Sequence, residues 1–232
     1  MALPGEKAVT VTCEIAFAVS DKPAPAGTTA DLRQGFAALP GLIWLDLYAP
    51  ASGPTHDPYV QAGPAPAHLA MLAFGSMQTL AQAARTPPFT AGLARLSVTS
   101  CTAMRWLHSP IAGEASASPL LARFSYVVRY HRPADDEAAF VRQYLNDHPP
   151  LIGRLPGIRN VITYVPLPWR LSGGPPPADY LLGNEAIFDD AGAFNAAMAS
   201  PVRHELRAHY RTLPRFTGRN THFAMERMRL LG

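Results

Sequence analysis

Polar positions alternate with apolar and aromatic ones over residues 123–132 and stop at Pro133, which marks a β-strand by both content and boundary. Asp135 then caps a helix with Asp136 and Glu137 in its first turn, where carboxylates complement the helix dipole. Phe140, Val141, Tyr144, Leu145 and His148 form its inward stripe until Pro149-Pro150 halts it. Gly157 opens a strand over 158–165, a loop rich in proline and glycine follows, and a third strand covers 180–188. Asp189 or Asp190 caps a second helix, which Ser200-Pro201 restarts and which continues to about residue 213. A last strand covers 221–230, so this half reads β-α-β-β-α-β. The first half follows the same order with shorter helices: strand 9–19, helix 30–39, strands 42–48 and 68–74, helix 77–85 and strand 93–106. Its loop over 49–67 carries prolines at 50, 54, 58, 64 and 66 and reads as a mobile lid or a disordered segment.

The two halves are copies. Leu39-Pro40-Gly41 recurs 116 residues later, half of the chain's 232, as Leu155-Pro156-Gly157, and Tyr48 and Pro50 recur at the same offset as Tyr164 and Pro166. Phe74, Leu80, Ala83 and Pro87 align in nearly the same register with Phe188, Phe194, Ala197 and Pro201. A period this long is a duplicated domain rather than a solenoid repeat. The order of elements is that of the ferredoxin-like unit, one antiparallel sheet with helices on one face only. The expected fold class is therefore α+β, two such repeats whose bare sheet faces pack as a single-chain α+β barrel. The first repeat spans 1–107, a small and polar joint 108–121, and the second repeat 122–232. A monomer or a homodimer is compatible with this, because the sheets already cover one another.

Composition narrows the class of protein. Hydrophobic residues make up 48% and charged ones 16%, which is globular. No apolar run reaches the length of a membrane span, since Glu14, Asp46 and Gly75 interrupt the best candidates. The opening 19 residues lack a basic region ahead of an apolar stretch, so the expectation is no signal peptide and a cytoplasmic protein. Cys13 and Cys101 cannot form a disulfide framework and read as buried free thiols. The net charge of +3 comes from 18 arginines and only two lysines, Lys7 and Lys22, without a lysine-rich tract or basic strand interleaved with aromatics, which argues against nucleic acid as a partner. Arg203, Arg207 and Arg211 share a helical face that reads as solvated, with anion binding as the minority case.

The second half resembles the EthD family of the dimeric α+β barrel superfamily. The resemblance rests on Tyr130, Pro133-Ala134-Asp135, Phe140, Tyr144, His148-Pro149-Pro150-Leu151 and Leu155-Pro156-Gly157, with a weaker echo in Glu185, Phe188, Asp189, Ser200 and Pro201. Where that family usually has an aspartate in its last helix, this chain reads Ala208-His209-Tyr210. The resemblance implies a small, often aromatic or polyketide-like substrate and reactions such as isomerisation, cyclisation, dehydration or cofactor-free oxygenation.

His148 is the leading candidate for chemistry. It lies on the inward helix stripe, and an imidazole near neutrality can move a proton at physiological pH; the bland alternative is a histidine that complements the helix C-terminus. Tyr130 shares its alternation with Phe124, Tyr126 and Val128, the face assigned to the helices, so its hydroxyl is the candidate donor to an enolate or phenolate oxygen. Tyr144, Glu185 and His222 are candidate substrate-binding residues, with Tyr144 placed to orient His148 and the other two a possible acid-base pair whose faces the alternation leaves open. Glu226, Arg129 and His131 read as surface or seam residues. At the 116-residue offset His148 falls on Leu32, so the site is expected in the second half and the first half reads as a partner that lost its own. Metal binding is not expected, as the histidines are scattered and no Cys-x-x-Cys occurs, and Gly173-Gly174 lacks the following helix of a phosphate loop. Three functions follow in order: an enzyme that moves a proton without a cofactor, a non-catalytic small-molecule-binding or accessory protein, and a haem-dependent oxidoreductase, since relatives of this architecture hold haem through a helix histidine.

Overall fold

The computed structural model describes residues 10–17, 28–60, 65–94, 97–109, 111 and 122–232. The first repeat comprises β1 (Val11–Phe17), α1 (Thr28–Phe36), β2 (Leu42–Pro50), β3 (Leu69–Phe74), α2 (Met77–Ala83), α3 (Pro87–Ala94) and β4 (Val98–Ser109). The second comprises β5 (Phe124–His131), α4 (Glu137–Ile152), β6 (Asn160–Pro166), β7 (Tyr180–Phe188), α5 (Ala191–Met198), α6 (Pro201–Tyr210) and β8 (Asn220–Leu231). The region read as the joint lies largely outside the described residues, and its first two residues belong to β4.

All eight strands close into one barrel in the order β1-β3-β2-β8-β5-β7-β6-β4. The two sheets therefore do more than stack face to face. Their edges join by hydrogen bonds, β2 to β8 through pairs such as Ala49 with Glu226, and β4 to β6 through pairs such as Trp106 with Tyr164. Closure leaves no strand edge unpaired, which removes the template for aggregation that an isolated repeat would expose. The duplication is visible in the backbone: Gly41 and Gly157 both turn in the left-handed region, at φ 71° and 72°, where a side chain is disfavoured.

Three cores result. Phe36, Leu80 and Phe89 fill the space between the first sheet and its helices; Phe140, Tyr144 and Phe194 do so in the second repeat. The barrel interior is the third, built from Tyr48, Met71, Tyr164 and Met225 together with buried charges. Arg129 donates to Glu14 Oε2 from Nε (3.0 Å) and Nη2 (2.5 Å), a pair that ties the two repeats. A Cβ at Gly183 would stand 2.9 Å from the Arg129 side chain, so the strand opposite needs glycine for this arginine to pass.

Two helices differ from the sequence expectation. α4 does not stop before Pro149 but runs through both prolines to Ile152. Proline already has a helical φ, and of the two carbonyls its missing N–H groups leave free, that of Asn146 is on an exposed residue, where water can serve it, and that of Leu145 is on a half-buried one. His148 thus sits inside a helix, and the reading of it as a terminal, dipole-complementing residue does not apply. α3 was not expected at all. Pro87 opens it as Pro201 opens α6, so the restart foreseen in one repeat occurs in both. Cys13 and Cys101 are free and buried on adjacent strands, with sulfurs 3.3 Å apart. Among the described residues no helix is long and apolar enough to cross a membrane.

Candidate active site

A cavity of about 360 Å³ opens between the second sheet and α4 and α6. Its floor follows from strand alternation. Tyr126, Val128 and Tyr130 of β5, Asn184 and Ala186 of β7, and Asn220 and His222 of β8 pair across the sheet and share its helix-covered face. α4 supplies His148 and Ile152, and α6 supplies Arg203, Leu206, Arg207 and Tyr210.

His148 is buried, its ring 4.6 Å from that of Tyr144, and its Nδ1 lies 2.9 Å from Nδ1 of His209. One ring must donate and the other accept there, so the contact holds a single proton. Burial first, then repulsion from His209 and Arg203, pushes the His148 pKa down to about 3, which keeps the imidazole neutral at physiological pH. The neutral-range pKa expected from the sequence is thereby corrected: desolvation outweighs the exposed-histidine value. Tyr130 is likewise buried, and burial raises its pKa above the ordinary value, so its hydroxyl stays protonated and able to donate. Tyr144 lies behind both rings rather than on the cavity wall; its hydroxyl bonds Tyr130 and accepts from Asn184 Nδ2. His222 does face the cavity, with both ring nitrogens lacking partners, and burial holds its pKa down to about 4.

Glu185 stands elsewhere. It points into the barrel, where Ser125 and Tyr164 donate to it at 2.6 Å each, and it cannot pair with His222 across the sheet. Arg129 and His131 also face the barrel interior and are buried, while Glu226 is exposed and accepts from Ser52.

The loop of the first repeat contributes what the sequence did not announce. Instead of a free lid, residues 51–60 pack on the second repeat and bring Tyr59 and Val60 to the cavity. Asp57 anchors them: Arg203 donates to it from Nη2 at 2.8 Å, Tyr126 from its hydroxyl at 2.7 Å and Tyr59 from its backbone N–H at 2.9 Å. Burial opposes ionisation of Asp57 most, but these donors together outweigh it and hold the carboxyl below its usual range. Tyr59 also bonds His204 and lies beneath the Arg203 guanidinium, 4.9 Å from its centre. Asp57→Asn keeps the shape but removes the charge opposite Arg203. It is expected to lower stability by about 2 kcal/mol and to make 51–60 cleavable by protease while the barrel stays folded; unchanged urea midpoints and cleavage rates would show that charge does not hold the loop.

Arg203 and Arg207 were readable, with Arg211, as one helical face, but as a solvated one. Asn184 had a signal, since it shares the parity of Leu182 and Ala186. Asp57 and Tyr59 had none, because their partners lie far away in the chain, Tyr126 at 69 residues and Arg203 at 146 residues from Asp57.

Haem does not fit this cavity, whose volume of about 360 Å³ is near the small end of small-molecule sites. Among the described residues no three His, Cys, Asp or Glu side chains gather as a metal site.

A duplicated ferredoxin-like unit closed into a barrel, with a cavity under the helices of one repeat, defines a single-chain member of the α+β barrel class. Residues 132–211, in the second half, match the EthD domain family. The whole fold recurs in solved structures of low identity. An anthrone oxidase-like protein aligns with a TM-score of 0.59 at 12% identity, covering 97% of this chain and 94% of that one. A mutant chlorite dismutase from Candidatus Nitrospira defluvii in complex with cyanide aligns with a TM-score of 0.50 at 10% identity, covering 95% and 91%. No curated protein matches the sequence.

Proposed function

We propose that the second repeat is a small-molecule enzyme site that moves a proton without a cofactor on an aromatic or polyketide-like substrate. The observation that carries this reading is the half-open cavity that His148 and Tyr130 both line. In the Nδ1–H tautomer His148 donates to His209, and its other nitrogen takes a proton from an acidic carbon or hydroxyl of the substrate. The oxygen that gains charge accepts a hydrogen bond from Tyr130, whose hydroxyl Tyr144 and Asn184 hold in place. The imidazolium then returns its proton to a different atom, giving isomerisation, cyclisation or dehydration. His209, half-buried, fixes this tautomer by accepting at its Nδ1.

Anthrone is a suitable probe, given the anthrone oxidase-like structure of the same fold, because its methylene protons are acidic. The protein is expected to accelerate exchange of those protons with deuterated solvent. His148→Ala should reduce the rate by at least about a hundredfold with the circular dichroism unchanged. Since the accepting form of His148 exists above a pKa of about 3, kcat/KM should stay flat between about pH 5 and 8. A base with the ordinary histidine pKa would instead lose rate below about pH 6.5. The low pKa also favours a second reading, a binding protein, because a base this weak abstracts only from activated carbon acids. That reading predicts anthrone binding with no exchange.

A further inference from the structure

Arg203 and Arg207 sit one turn apart on α6 and both reach the cavity, yet their surroundings differ. Arg203 is spent on Asp57, which accepts three hydrogen bonds from it. Arg207 makes no ion pair among the described residues, and its Nε is buried without a hydrogen-bond partner. Its guanidinium lies 5.6 Å from the ring centre of Tyr59 and 5.7 Å from that of Tyr210, held by two faces that neutralise nothing. Once Asp57 has cancelled Arg203, the wall carries one uncompensated positive charge. Both nitrogens of His222 also lack partners. Buried polar groups left unmet are costly, and each calls for a water, an ion or a ligand to meet it. The rest of the lining mixes polar groups, Asn184 and Asn220 among them, with the rings of Tyr126, Tyr130 and Tyr210 and the side chain of Met198, around a volume that admits two or three fused rings.

We infer that the cavity takes a small aromatic carboxylate, its ring system between the tyrosines and its carboxylate on Arg207. This names the substrate class of the site proposed above and rests on that site being a small-molecule cavity, but it does not depend on His148 acting as a base. A guanidinium presents two parallel N–H donors to a carboxylate, and away from bulk water this interaction discriminates strongly against a neutral amide of the same shape.

The test is calorimetric binding of 2-naphthoate and 2-naphthamide, with no turnover involved. The full-length protein should bind the carboxylate more tightly by about tenfold to a hundredfold. Arg207→Met, which keeps the aliphatic stem, should abolish this preference and leave naphthamide affinity within about twofold, since the apolar contacts persist. Arg207→Lys should retain part of the preference, and Arg211→Met, at the exposed residue that follows α6, should retain all of it. Equal affinities in the unaltered protein, a preference that survives Arg207→Met, or no binding of either probe at about millimolar concentration overturns the inference. Because exchange on anthrone is read separately in His148→Ala, loss of the carboxylate preference leaves the proton-transfer reading standing, and loss of exchange leaves this one.

Discussion

Glu14→Ala is expected to destabilise the barrel by about 3–5 kcal/mol in urea unfolding, the range for breaking a buried ion pair by removing one partner. Arg129 is 1% exposed, and without Glu14 its guanidinium keeps the carbonyls of Val128 and Asn184 and the ring faces of Tyr164 and Tyr180. None of these carries a full negative charge, and the closed barrel admits no solvent to replace it. The loss should exceed that of Asp57→Asn, because Asp57 has the cavity beside it. Glu14→Met combined with Arg129→Met should recover most of the loss, since methionine fills the space without a charge to desolvate. Because Glu14 belongs to β1 and Arg129 to β5, the single variant should also loosen the union of the repeats. A loss below about 1 kcal/mol would mean that water reaches this pair and that the interior is not dry.

The fold was legible because the sequence states it twice. A motif such as Leu-Pro-Gly, repeated at half the chain length, fixes both the element order and the partner of the bare sheet face. Edge closure was not legible, since nothing in β2 or β8 distinguishes a strand that ends a sheet from one that continues into the next. The same closure explains the misplacement of Glu185. In a barrel wrapped by helices both faces of a strand are buried, so Ile187 and Phe188 are equally apolar though they face opposite ways, and alternation loses its meaning. β5 escaped this because aromatic residues mark its helix face at 124, 126 and 130, which is why Tyr130 was assigned to the correct side.

One wall of the candidate site was hidden by the assumption that a repeat without a histidine contributes nothing. The first repeat does fill its own equivalent space: Leu32, at the position of His148, is buried among Phe36 and Phe89. Yet its long loop supplies Asp57, Tyr59 and Val60 to the other repeat's cavity. Duplication thus separates two roles that one copy could not combine. One repeat keeps an open space under its helices, and the other, with a solid core, is free to extend a loop across the barrel to wall it.

That open space should make the protein sensitive to mild acid. His148 and His222 have folded-state pKa values pressed down to about 3 and about 4, mainly by burial, against about 6.5 in the unfolded chain. As pH falls below 6.5 the unfolded chain takes up two protons that the native protein refuses, so stability is full above that value. It then declines by about 1.4 kcal/mol per pH unit for each histidine until the folded values are reached. By pH 5 each accounts for roughly 2 kcal/mol. The charges around them support the assignment: His148 faces Arg203, His209 and the neutral Tyr144, while His222 faces Arg203, Arg207 and Tyr126, with only Asp57 acting the other way. Asp57 itself enters later, since a depressed carboxyl gives up its contribution only below about pH 4. His148→Leu, which copies the first repeat's Leu32, should therefore flatten the decline between pH 6.5 and 5 by about half, and adding His222→Leu should remove most of the rest. Urea midpoints at pH 7, 6 and 5 read this directly. An unaltered protein equally stable at pH 7 and 5, or a variant that declines as steeply, would show that these imidazoles take up protons without unfolding and that the cavity is wetter than its walls indicate.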